Sequence, residues 1–66
     1  MKFAIYIPER DAYWEDDGAM DRNWKKAKIF LTREDAESYV TWIINEYAKK
    51  TLGGYDDLTY IVRQVK

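Results

Sequence analysis

The 66-residue chain contains no cysteine and no histidine. Without cysteine there is no disulfide framework and no thiolate nucleophile. Without histidine, both the usual general base near neutral pH and the commonest metal ligand are missing. Catalysis would have to rely on carboxylate, lysine, tyrosine and hydroxyl groups. We therefore expect a non-enzymatic protein without a metal or other cofactor, built as a single domain over residues 1–66.

The charge balance and the hydropathy pattern argue against two further kinds of partner. Eleven Lys and Arg residues face twelve Asp and Glu residues, which gives a formal net charge of −1 and none of the basic excess of nucleic-acid-binding domains. No apolar run approaches the roughly 18 residues of a membrane span, and the N-terminal apolar segment is too short for a secretory signal. We expect a cytoplasmic protein that binds neither membranes nor nucleic acid directly.

Four segments have the composition of β-strands. Residues 2–7 and 58–65 are rich in β-branched and aromatic side chains. Residues 12–15 are strand-like and are followed by Asp17-Gly18, a strong tight-turn signal. Residues 25–31 predict a further strand, in which period-2 alternation separates Ala27, Ile29 and Leu31 from Phe30.

Residues 33–50 predict one amphipathic helix. Thr32 is the expected N-cap, and Gly53-Gly54 is the expected C-terminal stop. The apolar positions recur at helical spacing over about four turns. They are Ala36, Tyr39, Val40, Ile43, Ile44 and Tyr47.

These elements predict an α+β fold with a small, mainly antiparallel sheet of three or four strands and one amphipathic helix packed on one face, in the order β-β-α-β. A right-handed crossover through the helix makes the last strand parallel to the strand before the helix. We place the first strand in the centre of the sheet, antiparallel to both neighbours.

The chain has more aromatic side chains than one small core should hide: three Trp, six Tyr and two Phe. One helix covers only one face of a sheet, so aromatic groups should remain on the other face. Exposed apolar surface of this kind usually marks a contact site. A second copy packed sheet against sheet is the simplest partner, and we assign Tyr6, Phe30 and Tyr60 to that homodimer interface.

A second surface is predicted from the acidic segment at residues 9–21 and from Trp42. Trp42 lies about 130° from the centre of the apolar stripe of the helix, so the sheet should not bury it. The acidic segment is either a protein interface or a solvated loop, and it lacks the ligand spacing of a calcium-binding loop. The residues assigned to protein binding are Tyr13, Trp14, Asp16, Asp17, Met20, Trp24 and Trp42.

Residues 27–36 read Ala-Lys-Ile-Phe-Leu-Thr-Arg-Glu-Asp-Ala and follow Trp24. This run resembles a pattern of very short phage and prophage accessory proteins, in which a Trp-containing strand leads into "Ala-Lys-x-Phe-x-Thr-x-Glu-Glu-Ala" and a helix. The resemblance covers residues 3–47. It implies a compact dimer of the host-takeover or anti-defence kind, which inhibits a bacterial host complex by stoichiometric binding.

Two other functions remain open at this point. A homodimer could enclose a cavity lined by Trp, Tyr and one of Arg10, Arg22 or Arg63, and so sequester a signalling nucleotide. The chain could also be a structural accessory subunit of a larger particle.

Overall fold

The structure, a computed structural model, describes residues 1–50 and 54–65. Within these residues a four-stranded sheet packs one helical unit on one of its faces. The strands are β1 (Lys2–Ile7), β2 (Ala12–Asp16), β3 (Ala19–Asp21) and β4 (Ile61–Val65). Their order across the sheet is β3-β2-β1-β4, and each neighbouring pair is antiparallel. The predicted α+β class is confirmed.

β1 lies in the centre of the sheet, as predicted. It pairs with β2 in the register Tyr6↔Tyr13 and with β4 in the register Ile5↔Val62. Ile5 and Ile7 are fully buried on the face that the helix covers. Because side chains alternate along a strand, Tyr6 lies on the opposite face, which we call the open face.

The prediction of a strand over the whole of residues 25–31 is wrong. Trp24–Lys26 form a 3₁₀ turn, and the extended residues that follow it form a β-bridge to β1 at Phe30. The Phe30 N–H donates to the Phe3 carbonyl oxygen at 2.8 Å, and the Phe3 N–H donates to the Phe30 carbonyl oxygen at 2.9 Å. Since both this bridge and β4 are antiparallel to β1, the chain at Phe30 and β4 run in the same direction, which agrees with the predicted crossover.

The 3₁₀ turn also changes which side chains of this segment enter the core. Ala27 and Phe30 are buried, whereas Ile29 and Leu31 are exposed. A spacing of three between buried positions does not fit a regular strand, whose side chains repeat every two residues. The alternation predicted for residues 25–31 therefore assigned Phe30 to the wrong side.

The predicted helix is confirmed over residues 33–50, with one irregularity. It consists of α1 (Arg33–Trp42), a π-helical segment (Ile43–Tyr47) and α2 (Ala48–Lys50). The Thr32 hydroxyl oxygen caps α1 by accepting a hydrogen bond from the Asp35 N–H at 3.1 Å, as predicted. Of the predicted stop, Gly53 lies outside the described residues, while Gly54 has a positive φ of 90°.

β4 begins three residues later than predicted because the chain before it is bonded elsewhere. The Glu9 carboxylate accepts hydrogen bonds from the Thr59 N–H at 2.9 Å and from the Thr59 hydroxyl at 2.6 Å. The Thr59 backbone donor is therefore used by a side chain and not by a strand. This contact joins the turn after β1 to the segment that leads into β4.

The β2–β3 hairpin is held against the helix at its tip. Gly18 in the turn has a positive φ of 85°, and its carbonyl oxygen accepts a hydrogen bond from the Tyr55 hydroxyl at 3.2 Å. A Cβ atom at this position would overlap the hydroxyl oxygens of Tyr47 and Tyr55. Glycine is thus required here both by the backbone angle and by the close approach of two side chains.

We expect Gly18→Ala to destabilise the chain by about 3 kcal/mol, since it adds a steric overlap to a strained backbone angle. Gly54→Ala is the matched control, because it shares the positive φ but its Cβ would meet only Arg10 Nη2, at 3.9 Å. That variant should lose about 1 kcal/mol. Urea unfolding measures both values, and equal losses would show that the tyrosine hydroxyls simply move aside.

The pKa of Glu9 is lowered below its ordinary value of 4.5 by its hydrogen bonds from Thr59. The bond from the Thr59 hydroxyl has the largest effect, and the bond from the Thr59 N–H comes next. The unfolded chain then binds the proton more tightly, so this contribution to stability is complete above pH 4.5 and disappears as the pH falls through the folded pKa. Wild type should therefore be more stable than Glu9→Gln at neutral pH, with a difference that shrinks in acid. Unfolding of both variants from pH 7 to pH 3 measures this. The difference should shrink less in a Thr59→Ala background, and a difference independent of pH would contradict the assignment.

Candidate protein-binding surface

The open face of the sheet carries four side chains in mutual contact, Tyr6, Tyr13, Arg63 and Asp11, which we call the open-face cluster. The Tyr6 and Tyr13 rings are register neighbours with centroids 5.1 Å apart. The Arg63 guanidinium carbon lies 3.9 Å from the Tyr6 ring centroid, and Arg63 Nη1 donates to the Tyr13 hydroxyl oxygen at 3.1 Å. The Tyr6 hydroxyl donates to Asp11 Oδ1 at 2.6 Å. Every member of the cluster therefore contacts at least one other member.

The electrostatics of the cluster follow from these hydrogen bonds. The bond to Asp11 is the main reason that the pKa of Tyr6 is raised, which keeps this phenol protonated as a donor. The bond to Tyr13 is the main reason that the pKa of Arg63 is raised, and the guanidinium is fully charged at any ordinary pH. The cluster therefore presents a fixed cation between two neutral rings and next to one carboxylate.

The surroundings of the cluster combine apolar and acidic groups. Ile61 pairs with Tyr6 in the β1–β4 register and is 42 % exposed. Asp21 pairs with Tyr13 in the β2–β3 register. Tyrosine and arginine are enriched at the energetic centres of protein interfaces, where polar groups form the rim. The open face thus has the composition of a protein-binding surface.

Only one of the three residues assigned to a homodimer interface lies on the open face. Tyr6 does, but Phe30 is buried on the helix side with its ring centroid 5.3 Å from that of Tyr39. Tyr60 is half-buried on the helix side, where its hydroxyl donates to the Tyr55 carbonyl oxygen at 2.6 Å. The assignment of Phe30 and Tyr60 to a common surface with Tyr6 is therefore corrected.

Trp14, assigned from sequence to the partner surface, is instead the largest fully buried side chain, with 1 % exposure. It lies on the helix side of β2 because its neighbour Tyr13 points to the open face. Four tyrosine rings surround the indole at centroid distances of 5.3–6.3 Å. They belong to Tyr39, Tyr47, Tyr55 and Tyr60. The surplus of rings is thus partly absorbed in an aromatic core that composition alone did not reveal.

The π-helical segment helps to build this core. The Ala48 N–H donates to the Ile43 carbonyl oxygen, five residues earlier, so residues five apart come to lie one turn above each other. Tyr47 consequently packs on Trp42 at a centroid distance of 5.9 Å and reaches Trp14 at 5.3 Å with perpendicular rings. The wide turn is what lets Tyr47 contact both indoles.

Trp42 is the most exposed of the aromatic residues assigned to binding. It is 42 % exposed, and its ring packs on Tyr39 with centroids 5.2 Å apart. The prediction that the sheet does not bury this indole is confirmed. Trp42 lies on the helical layer and the open-face cluster on the other side of the sheet, so the two do not form one continuous surface.

The remaining assigned residues lie in or near the β2–β3 hairpin. Asp16 and Asp17 are exposed at its tip, where Asp16 Oδ1 accepts a hydrogen bond from the Asp17 N–H at 3.1 Å. Met20 is partly buried against the core, and Trp24 has intermediate exposure in the following 3₁₀ turn. Among residues 1–50 and 54–65, no group of three or more acidic side chains is placed to hold a metal ion.

Two of the three arginines considered for a nucleotide cavity have partners within the chain. Arg63 belongs to the open-face cluster, and Arg10 Nη2 donates to the Gly54 carbonyl oxygen at 3.5 Å. Arg22 is exposed. The described part of a single chain has no pocket on its surface.

Two members of the open-face cluster, Arg63 and Asp11, were not among the residues assigned to protein binding from the sequence, where Arg63 was considered only for a nucleotide cavity. A signal for Arg63 was present. If the last strand pairs with a central β1, every second side chain of the last strand lies on the same face of the sheet as Tyr6. The register needed to choose between the two alternating sets was not available from the sequence. Asp11 adopts the left-handed conformation with φ 48°, which depends on the 3₁₀ turn before it.

Comparison of the chain with protein-family models, curated proteins and solved structures gives no match. No helix in the described residues combines the length and the apolar character needed to cross a bilayer.

The contrast between the two indoles gives a direct test of the aromatic core. We expect Trp14→Ala to cost about 3–5 kcal/mol, which exceeds the stability margin of so small a domain and unfolds it. Trp42→Ala removes a half-exposed ring and should cost about 1 kcal/mol or less. Far-UV circular dichroism with urea unfolding measures both. A folded Trp14→Ala variant of near-normal stability would contradict the central position of this side chain.

Proposed function

We propose that this chain is a non-enzymatic, phage-type protein that inhibits a bacterial host or anti-phage defence protein in the host cytoplasm by stoichiometric binding, and that it does so as a homodimer. The observation that supports binding most directly is the open-face cluster. A cation stacked on one tyrosine and hydrogen-bonded to another is already held in place, so little side-chain entropy is lost when a partner covers it.

The chemistry of the open face favours a particular kind of partner. Its centre offers the faces and edges of two tyrosine rings and the exposed Ile61, which suit an apolar or aromatic side chain. Asp11 and Asp21 lie beside this centre and suit basic groups on the partner. We therefore propose a host protein surface with an apolar centre and a basic margin.

The functional test is the rescue of phage growth. The chain is expressed in bacterial strains that each carry one defence system, and plaque formation is compared with and without it. A defence protein identified by rescue is then purified and titrated with the chain by calorimetry, where we expect a defined whole-number stoichiometry. Rescue without direct binding would contradict stoichiometric inhibition. Full inhibition of the target by much less than one chain per target molecule would contradict it as well.

The same titration locates the surface. Tyr13→Ala should weaken binding by about thirtyfold or more, as expected for a central aromatic contact, and Tyr13→Phe should have a smaller effect because it keeps the ring. Trp42→Ala is the control on the helical layer and should bind like wild type. Loss of binding in Trp42→Ala together with normal binding of Tyr13→Ala would place the interface on the helix and refute the open-face assignment.

A further inference from the structure

The outer edge of β4 has backbone groups without a partner. Phe3 in β1 uses both its N–H and its carbonyl oxygen to bond Phe30, on the side of β1 away from β4. Its register neighbour in β4, Gln64, therefore cannot bond to it, and the Gln64 backbone groups point outward. By alternation the same holds for Val62. Neither residue makes another hydrogen bond within residues 1–50 and 54–65, and β4 is the end of the sheet there.

This edge lacks the devices that normally prevent strand pairing. Such devices are short strands, bulges and charges along the edge. β4 has five residues with the sequence Ile-Val-Arg-Gln-Val, and its one charge, Arg63, is folded over Tyr6 on the open face. The opposite edge is protected, since β3 has only three residues, lies next to a bulge in β2 and carries acidic residues at both ends of the hairpin.

Apolar side chains flank the β4 edge in both layers. On the open face, Ile61 is 42 % exposed. On the helix, Tyr39 contacts Phe30 and so marks the flank that lies away from β4. Tyr39 and Ile44 lie on opposite sides of the buried Ile43 around the helix axis, so Ile44, which is 50 % exposed, lies on the flank towards β4. An added strand at this edge would therefore cover apolar groups in both layers.

We propose that β4 pairs antiparallel with β4 of a second copy, around a two-fold axis close to Val62, to form one eight-stranded sheet with both helices on the same side. The pairing is self-complementary, because each Val62 donates its N–H to, and accepts with its carbonyl oxygen from, Val62 of the second copy. This register places Arg63 opposite Ile61 of the second copy, so the two arginines do not face each other.

Charge also favours a second copy at this edge over pairing of the two open faces. Each chain has a net charge of −1, and its acidic β2–β3 hairpin lies at the far end of the sheet from β4. Edge pairing keeps the two hairpins at opposite ends of the dimer. Pairing of the open faces would instead bury Asp11 and Asp21 in the interface, with the desolvation cost of both carboxylates.

This inference rests on the homodimer part of the proposed function and leaves both open-face clusters uncovered, side by side on one sheet. Its test requires no host protein, so its failure would leave host binding through the open face standing. A failure to find a host target would, in turn, leave the edge dimer standing.

Single-cysteine variants provide the first test, because the chain contains no cysteine. Val62→Cys brings two sulfur atoms together at the proposed axis, where paired Cα atoms are about 5.5 Å apart and within disulfide range. We expect it to form a covalent dimer under mild oxidation. Tyr13→Cys, on the open face, should remain monomeric under denaturing conditions, and a disulfide in Tyr13→Cys without one in Val62→Cys would overturn the proposal.

A proline provides the second test without touching a side chain of the core. Gln64→Pro removes an outward N–H but no hydrogen bond to β1, so the fold should persist by far-UV circular dichroism. The two-fold symmetry means that the dimer loses this N–H hydrogen bond twice, once from each copy. The dimer dissociation constant should therefore rise about tenfold or more, as measured by light scattering during gel filtration. Gln64→Ala is the matched control, which keeps the N–H and should remain dimeric. A monomeric wild type at submillimolar concentration, or a dimer unaffected by Gln64→Pro, would refute edge pairing.

Discussion

The enclosure of the Trp14 indole is the interaction on which the rest of this structure depends. Among residues 1–50 and 54–65, the fully buried large aliphatic side chains are Ile5, Ile7 and Ile43, too few to join a sheet and a helix by themselves. The indole bridges the layers, since tyrosines from the helix and from the segment before β4 pack around it edge-on. The Tyr55 hydroxyl donates to the Gly18 carbonyl oxygen and the Tyr60 hydroxyl to the Tyr55 carbonyl oxygen, so two of the rings that fill the core also hold the hairpin and the segment before β4. A chain that contains no cysteine, and so no disulfide, is thereby held together by aromatic packing.

Because this small core lies between the helix and one face of the sheet, the other face is available for contact. Within the described residues the helical layer lies on one side of the sheet, and on the open face Arg63 stacks on Tyr6. The two predicted uses of the surface, host binding and self-association, then need not compete. One uses side chains that stand up from the sheet, and the other uses backbone groups at its margin.

Much of the fold could be predicted from the sequence, because local signals and global architecture agree there. The Thr32 cap, the helix over residues 33–50 and the central position of β1 all follow from capping chemistry and periodicity. The site was harder for a specific reason. Trp14 and Tyr13 are adjacent in sequence and lie on opposite faces of the sheet, so placing one of them also places the other. The large number of aromatic residues led to the prediction that both are on the surface, whereas Trp14 is buried. Two local irregularities arise from tertiary packing and are not visible in the hydrophobic periodicity of the sequence. They are the 3₁₀ turn before Phe30, which changes the face on which the following side chains lie, and the π-helical turn at Tyr47.

The position of β1 has a consequence for how the chain is made. β1 is made well before its main partner, since β4 is formed by residues 61–65 and pairs with β1 from Lys2 to Tyr6. Until β4 pairs with it, the backbone of β1 has, among the described residues, only the two-residue pairing to β2 and the bridge at Phe30 as strand partners. The β1–β4 pairing therefore closes a long loop, which makes it a slow step of folding and leaves the central strand incompletely paired until that step occurs.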